Sequence, residues 1–313
     1  MKRFLLKMIL FAIPLIAVLA TWELIMRNAP HVFKYKRQVI MEKYRKEGRI
    51  LVLGSSHAFY GVNTRFMPRA CNLAFVSQEL CHDRFIFETF LKSPNRLEYV
   101  IVPVSIFSFF GAKQNNDSWK DTNYSAYWGF PVSDISNRFF IFGNMPNQLR
   151  LFKRLKKKIK REGVPQAYNI DETGWGTNQA FMPREQFKTL AEQAALRHCN
   201  VDLEKTDGFH ELQKLIALAQ KHKIKVLLFT PPAHRFYWEK ISPEQEKRMR
   251  ELLAELVKMP GVTYIDLLRS DKFELNDFGD GDHLSPSGAE KLARILHGHC
   301  LALSKQKTEN LCQ

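Results

Sequence analysis

Two short stretches, far apart in the chain, carry residue types that could do acyl chemistry. The first is Gly54-Ser55-Ser56-His57, which ends the apolar run Ile50–Leu53. The second is Asp280-Gly281-Asp282-His283, shortly before the last amphipathic segment. A serine hydroxyl is a poor nucleophile at neutral pH. It needs an imidazole to take its proton and a carboxylate to fix that imidazole's tautomer. Asp280 stands three residues before His283, so a loop entering a helix can present both on one side. Ser56 is the expected nucleophile, His283 the base and Asp280 its partner. Ser55 is the fallback nucleophile. Asp282 competes as the acid, but residues adjacent in sequence usually point apart, which favours Asp280.

Those residues need elements to hold them. Ile50–Leu53, Ala70–Phe75, 97–105, 224–229 and 262–267 are short apolar runs that read as strands. Helical patterns stand between and after them, at 77–91, 206–222, 242–258 and 285–303. Ser242-Pro243 and Ser285-Pro286 are start signals, and Gln245 is placed to complete a capping box after Ser242. Wholly apolar strands alternating with helices predict a parallel sheet covered on both faces. Such sheets bind ligands beyond the carboxyl ends of their strands. That rule selects the region after Gly54, Ala74–Gln78, Ser105 onward, Thr230 onward and the segment after Leu267. His57 and His234 fall within reach of it as pocket residues.

With the two blocks placed on such a sheet, the chain resembles the SGNH (GDSL-type) hydrolase superfamily over about residues 49–305. Within that superfamily it is most similar to membrane-anchored members of bacterial cell envelopes that add or remove O-acyl groups. The resemblance implies a flavodoxin-like three-layer α/β/α sandwich and a Ser56–His283–Asp280 triad acting on an ester without a cofactor. It also implies oxyanion donors after the second and third strands. Ala74 stands at the first place and could donate through its backbone. The second place lacks the usual asparagine, and Ser105 is the nearest polar residue. A metal held by Asp277, Asp280, Asp282 and His283 is not expected, because hard cations prefer several oxygens in fixed geometry.

The N-terminus bounds where this chemistry would happen. Lys2, Arg3 and Lys7 precede an uncharged run from Met8 to Trp22, and Leu24–Met26 extend it. The stretch 4–26 is long enough to cross about 30 Å of hydrocarbon at about 1.5 Å per residue. Residues 1–30 therefore read as a signal anchor, with a cleaved signal peptide ending near Ala20 as the alternative. Residues 31–48 read as a juxtamembrane linker. Either way the domain is expected outside the cytoplasm, periplasmic or at the cell surface.

Within the domain, about 111–182 breaks the alternation and reads as an insertion, a lid or a substrate wall. In it, residues 149–161 put Leu151, Leu155 and Ile159 on one stripe among eight cationic side chains. This pattern fits contact with a membrane or anionic polymer, or a solvated helix.

The chain has 313 residues, with 47 Lys+Arg against 32 Asp+Glu, a net charge of +15. That balance favours anionic partners. No zinc-ligand spacing or nucleic-acid module accompanies it, so a nucleic-acid partner is not expected. The five cysteines show no CxxC pair, and an odd, sparse set does not read as a disulfide framework.

The expected function is a membrane-tethered serine esterase or O-acyltransferase acting on an envelope glycan. A transferase would need a separate multi-spanning partner to supply acyl groups. The alternative is a non-catalytic scaffold or glycan-binding protein of the same fold.

Overall fold

The computed structural model describes every residue except 113–117, 133, 141–144, 165, 178–182 and 310–313. In chain order its main elements are α1 (Lys2–Asn28), β1 (Ile50–Val52), β2 (Ala70–Asn72), α2 (Leu80–Leu91), β3 (Tyr99–Pro103), α3 (Met145–Glu162), α4 (Arg184–His198), α5 (Asp207–Lys221), β4 (Lys225–Thr230), α6 (Pro243–Val257), β5 (Val262–Asp266) and α7 (Pro286–Glu309). The chain divides into two compact units: residues 1–37 with 116–168, and residues 38–115 with 169–313.

The second unit is built on a five-stranded parallel sheet of order β2-β1-β3-β4-β5. This is the flavodoxin-like order, and its switch point lies between β1 and β3. Right-handed crossovers along that path put α2, α5 and α6 on one face. The β1–β2 connection and α7 cover the other. In agreement, α2 packs on α5, and α7 packs on the turn Thr64–Phe66. The central strands form because their inner residues are apolar without interruption. Leu51, Val52, Val100, Ile101, Val102, Leu227, Leu228 and Phe229 are all buried between the helix layers.

Several boundaries move from the sequence expectation for local reasons. β2 stops at Asn72 rather than Phe75. The Asn72 side chain turns back to accept the Ala74 N–H at 3.0 Å and donates to the Ala58 and Val62 carbonyls. α2 starts at Leu80, three residues late, where Glu79 and His82 cap each other's backbone. Ser242 caps α6 as expected, accepting the Gln245 N–H. The Gln245 side chain, however, does not close a capping box. It is buried and donates to the carbonyls of Ile106 and His198.

In the first unit α1 is 27 residues long, with most of its described apolar side chains exposed, and is long and apolar enough to cross a membrane. Among the described residues Cys71, Cys81, Cys199 and Cys300 form no disulfide, and Cys312 lies outside those residues. The expected insertion at about 111–182 likewise runs partly outside them.

Candidate active site

β1 ends at a turn that only glycine fits. Gly54 has φ +117°, and a Cβ there would stand 2.3 Å from Cγ of Pro103 on β3. Its N–H donates to the buried Asp83 carboxylate at 2.7 Å, which also accepts from Gln78. Burial pushes the Asp83 carboxyl up to about 7, against those two hydrogen bonds. The chain then enters a short helix, Ser56–Phe59, with Ser55 at its N-cap.

A turn formed by "DETGWG" holds the far end of that helix. Asp171 Oδ1 accepts the N–H groups of Thr173 and Trp175, which folds the turn on itself. The Trp175 indole donates to the Tyr60 carbonyl, and Gly176 N–H donates to that of Phe59. Ser56 therefore sits between two fixed points, the Gly54 turn and this clamp.

The acid–base loop comes from the other end of the chain. Asp280 Oδ1 accepts the backbone N–H of Asp282 at 3.1 Å and of His283 at 2.7 Å. Gly281 lies flat against α4, where a Cβ would be 2.2 Å from Cβ of Ala191. The Gly281 carbonyl accepts the N–H of His234 at 3.0 Å.

These two pieces meet. Ser56 Oγ lies 2.7 Å from His283 Nε2, across 227 positions of sequence. His283 Nδ1 lies 3.0 Å from each oxygen of Asp280. With a carboxylate on Nδ1, that nitrogen carries the proton, and Nε2 of the neutral ring is left to accept from the Ser56 hydroxyl. The structure thus brings together Ser56, His283 and Asp280, and it is Ser56 rather than Ser55 that faces the imidazole.

Asp282 does not point away, contrary to the sequence argument. Its Oδ1 is 3.5 Å from His283 Nδ1, so the imidazole faces two carboxylates. The other oxygen of Asp282 accepts from His57 Nε2 at 3.1 Å and lies 3.6 Å from His198 Nδ1. Burial opposes charge on His283, but the Asp282 charge and the hydrogen bond and charge of Asp280 outweigh it. They raise the imidazole to about 9. Burial likewise opposes charge on Asp282, but the surrounding histidines, His283 first, hold its carboxyl well below the usual range.

Behind the triad runs a second buried polar chain. His57 bridges two partners: its Nε2 lies 3.1 Å from Asp282 Oδ2, and its Nδ1 lies 2.6 Å from the Ser105 hydroxyl oxygen. His198 Nδ1 pairs with the Tyr237 hydroxyl at 2.9 Å. Burial drives the His198 imidazolium down to about 3, against the pull of Asp282, so this ring is neutral. Tyr237 is raised well above its ordinary value by burial and then by the Asp282 charge. His57, Ser105, Thr230, Tyr237 and Asp282 line one small cavity beyond the ends of β3 and β4. His198 and Tyr237 were not singled out from the sequence. No local pattern marks them, since each acts only through the fold.

Three of the candidate residues have partners within the protein. Ser105 Oγ lies 2.6 Å from His57 Nδ1. The Ala74 amide, the other candidate donor, goes to the Asn72 side chain. The His234 Nδ1 accepts the Phe236 N–H, and its ring packs against Phe187 and Phe278.

One potential metal-ligand atom from each of His57, Asp282 and His283 falls within 4.8 Å of the others. Those atoms already serve the hydrogen bonds described. Asp277, the remaining acid considered at sequence level, is paired with Lys291.

No protein-family model matches the chain, and no curated protein matches it. Solved structures do. A Bacteroides fragilis protein described as an acylhydrolase aligns at 13% identity and TM-score 0.40, covering 85% of this chain and 95% of its own. A GDSL-like lipase of Bacteroides thetaiotaomicron aligns at 11% identity and TM-score 0.38, covering 90% and 100%. A Desulfitobacterium hafniense protein described as lipolytic and of the G-D-S-L family aligns at 12% identity and TM-score 0.37, covering 81% and 98%.

Proposed function

We propose that this chain is a membrane-tethered serine esterase or O-acyltransferase that works through an acyl-Ser56 intermediate. The observation that carries the reading is the 2.7 Å approach of Ser56 Oγ to His283 Nε2, with Asp280 on the opposite ring nitrogen. In the first half-reaction Ser56 Oγ attacks the ester carbonyl and its proton passes to Nε2 of His283. The bond from the carbonyl carbon to the leaving oxygen then breaks, and the imidazolium returns the proton to that oxygen. In the second half-reaction an acceptor hydroxyl repeats these steps in reverse on acyl-Ser56. Water as acceptor makes an esterase, and a sugar hydroxyl makes a transferase.

The proposed substrate is an ester of a cell-envelope polysaccharide. Two features support it: the apolar α1 at the N-terminus, which would place the catalytic unit outside the cytoplasm, and the net charge of +15, which suits an acidic polymer. As a transferase the chain would need a multi-spanning membrane protein to deliver acyl groups, because α1 is a single helix.

A second reading has an observation of its own. Both sequence-nominated oxyanion donors are engaged elsewhere, and loss of one such donor costs about 3 kcal/mol of transition-state stabilisation. That favours a non-catalytic scaffold or glycan-binding protein of this fold.

Purified full-length chain should release p-nitrophenol from p-nitrophenyl acetate, and Ser56→Ala should not. With an O-acetylated polysaccharide, free acetate would identify an esterase and an acetylated added sugar a transferase. Equal, background-level turnover by both proteins would select the scaffold reading.

A further inference from the structure

In the unit formed by residues 1–37 and 116–168, the polypeptide after the apolar helix is tied back to the end of that helix. Glu23 pairs with Arg27 at 2.7 Å, which neutralises the charge in the last turns of α1. Glu23 also accepts the Phe140 N–H at 2.8 Å. Arg27 donates to the Arg138 carbonyl at 2.6 Å, and the Tyr127 hydroxyl donates to the Met26 carbonyl at 3.0 Å. His31 stacks on Tyr127 with ring centres 4.6 Å apart. The turn Ile135–Arg138 and Phe139 are therefore fixed at the level where α1 ends. At that level Ile135 is 68% exposed and Phe139 is 36% exposed.

Chain length at one end and a ring contact at the other limit how far α3 can lie from the residues that follow α1. Five residue steps separate Phe140 from Met145, which limits the start of α3 to about 18 Å from Phe140. At the other end Tyr168, six residues after Glu162, packs its ring 5.5 Å from that of Tyr35. At 100° per residue, Leu151, Phe152, Leu155 and Ile159 occupy an arc of about 100°. Arg150, Lys153, Arg154, Lys156, Lys157, Lys158, Lys160 and Arg161 fill the rest of the circumference. Leu151, on the apolar arc, is 62% exposed. A cationic helix with a narrow apolar face, held close to a membrane exit, suits a plane of anionic headgroups, each cation near the surface adding about 1 kcal/mol.

We propose that α3 and the Ile135–Phe139 turn form an interfacial platform that lies on an anionic phospholipid surface. The apolar arc and the turn enter the headgroup–acyl boundary, and the cations pair with lipid phosphates. This inference rests on the proposal that α1 spans a bilayer.

The test places a photo-crosslinker in the full-length chain as Leu151→p-benzoylphenylalanine. The protein is reconstituted into nanodiscs of phosphatidylcholine alone or of an equal mixture with phosphatidylglycerol. On illumination, lipid adducts are expected to be several-fold more abundant in the anionic discs. They should fall to the phosphatidylcholine level when Lys153, Arg154, Lys156, Lys157 and Lys160 are all replaced by Gln in a chain of unchanged circular dichroism. Co-elution with the discs reads α1 separately. Co-elution with no lipid adduct in either disc would overturn the platform and leave the anchor intact. Failure to co-elute would overturn both. Adducts to added polygalacturonate, with none to lipid, would also overturn the platform and assign α3 to an acidic polymer.

Discussion

At the residue scale, His283 faces two carboxylates where a catalytic triad needs one. Asp280 holds the ring through both oxygens at 3.0 Å, and Asp282 adds its charge from 3.5 Å. With its imidazole raised to about 9, His283 is mostly protonated at neutral pH, and only the neutral fraction can accept the Ser56 proton. Activity is therefore expected to rise with pH, with kcat/KM reaching half its plateau near pH 9. Asp282→Asn removes the nearby charge and should move that midpoint down by about 1 pH unit or more, while Asp280 continues to hold the ring. A pH–rate profile of the two proteins checks this, and an unmoved midpoint would contradict the role assigned to Asp282. The same shift has a sign for folding. His283 is raised above its ordinary 6.5, so its contribution to stability is full below about pH 6.5 and is lost as pH rises through about 9. Sequence spacing was enough to expect Ser56, Asp280 and His283 together, because an acyl triad has a recognisable chemistry. It did not reveal the partners of Ser105 and Ala74, because a hydrogen-bond partner is chosen by neighbours brought in by the fold. His57 takes the hydroxyl of one, and Asn72 takes the amide of the other.

At the scale of elements, the sheet was legible for a simple reason. A strand buried on both faces must be apolar throughout, so Ile50–Val52, Tyr99–Pro103 and Lys225–Thr230 stand out as runs. The ends of elements were harder to place, since Asn72 and Glu79 stop or start them through side-chain contacts that no periodicity encodes. The turn after β1 is where element and site join. Gly54→Ala puts a Cβ into Pro103 at a backbone angle that L side chains resist, and should cost on the order of 3 kcal/mol. Gly261 provides the control. Its φ is +78°, but a Cβ there meets nothing within 4 Å, so Gly261→Ala should cost only about 1 kcal/mol. Urea denaturation of both variants measures the difference. Equal losses would show that the close approach of β3 to the Gly54 turn is not what fixes that glycine.

At the scale of the whole molecule, the sheet order 2-1-3-4-5 turns distant sequence into one site. Its switch point opens between β1 and β3, and the Gly54–Ser56 turn and Ser105 both lie at the carboxyl ends of those strands. The loop before α7 closes over that crevice, bringing His283 to Ser56. The amphipathic pattern of 149–161 was visible in the sequence, but its tether to the end of α1 was not. That tether depends on long-range hydrogen bonds such as Glu23 to Phe140 and Tyr127 to Met26. The central claim is that the hydroxyl of residue 56 is activated by the imidazole at residue 283. Intact-protein mass spectrometry after treatment with a fluorophosphonate tests it most directly. The wild-type chain should gain one phosphonyl group, mapped to Ser56 by peptide sequencing. Ser56→Ala should gain none, and His283→Gln should react about a thousandfold more slowly or less. A wild-type chain that stays unmodified, or one labelled equally well after His283→Gln, would contradict the account.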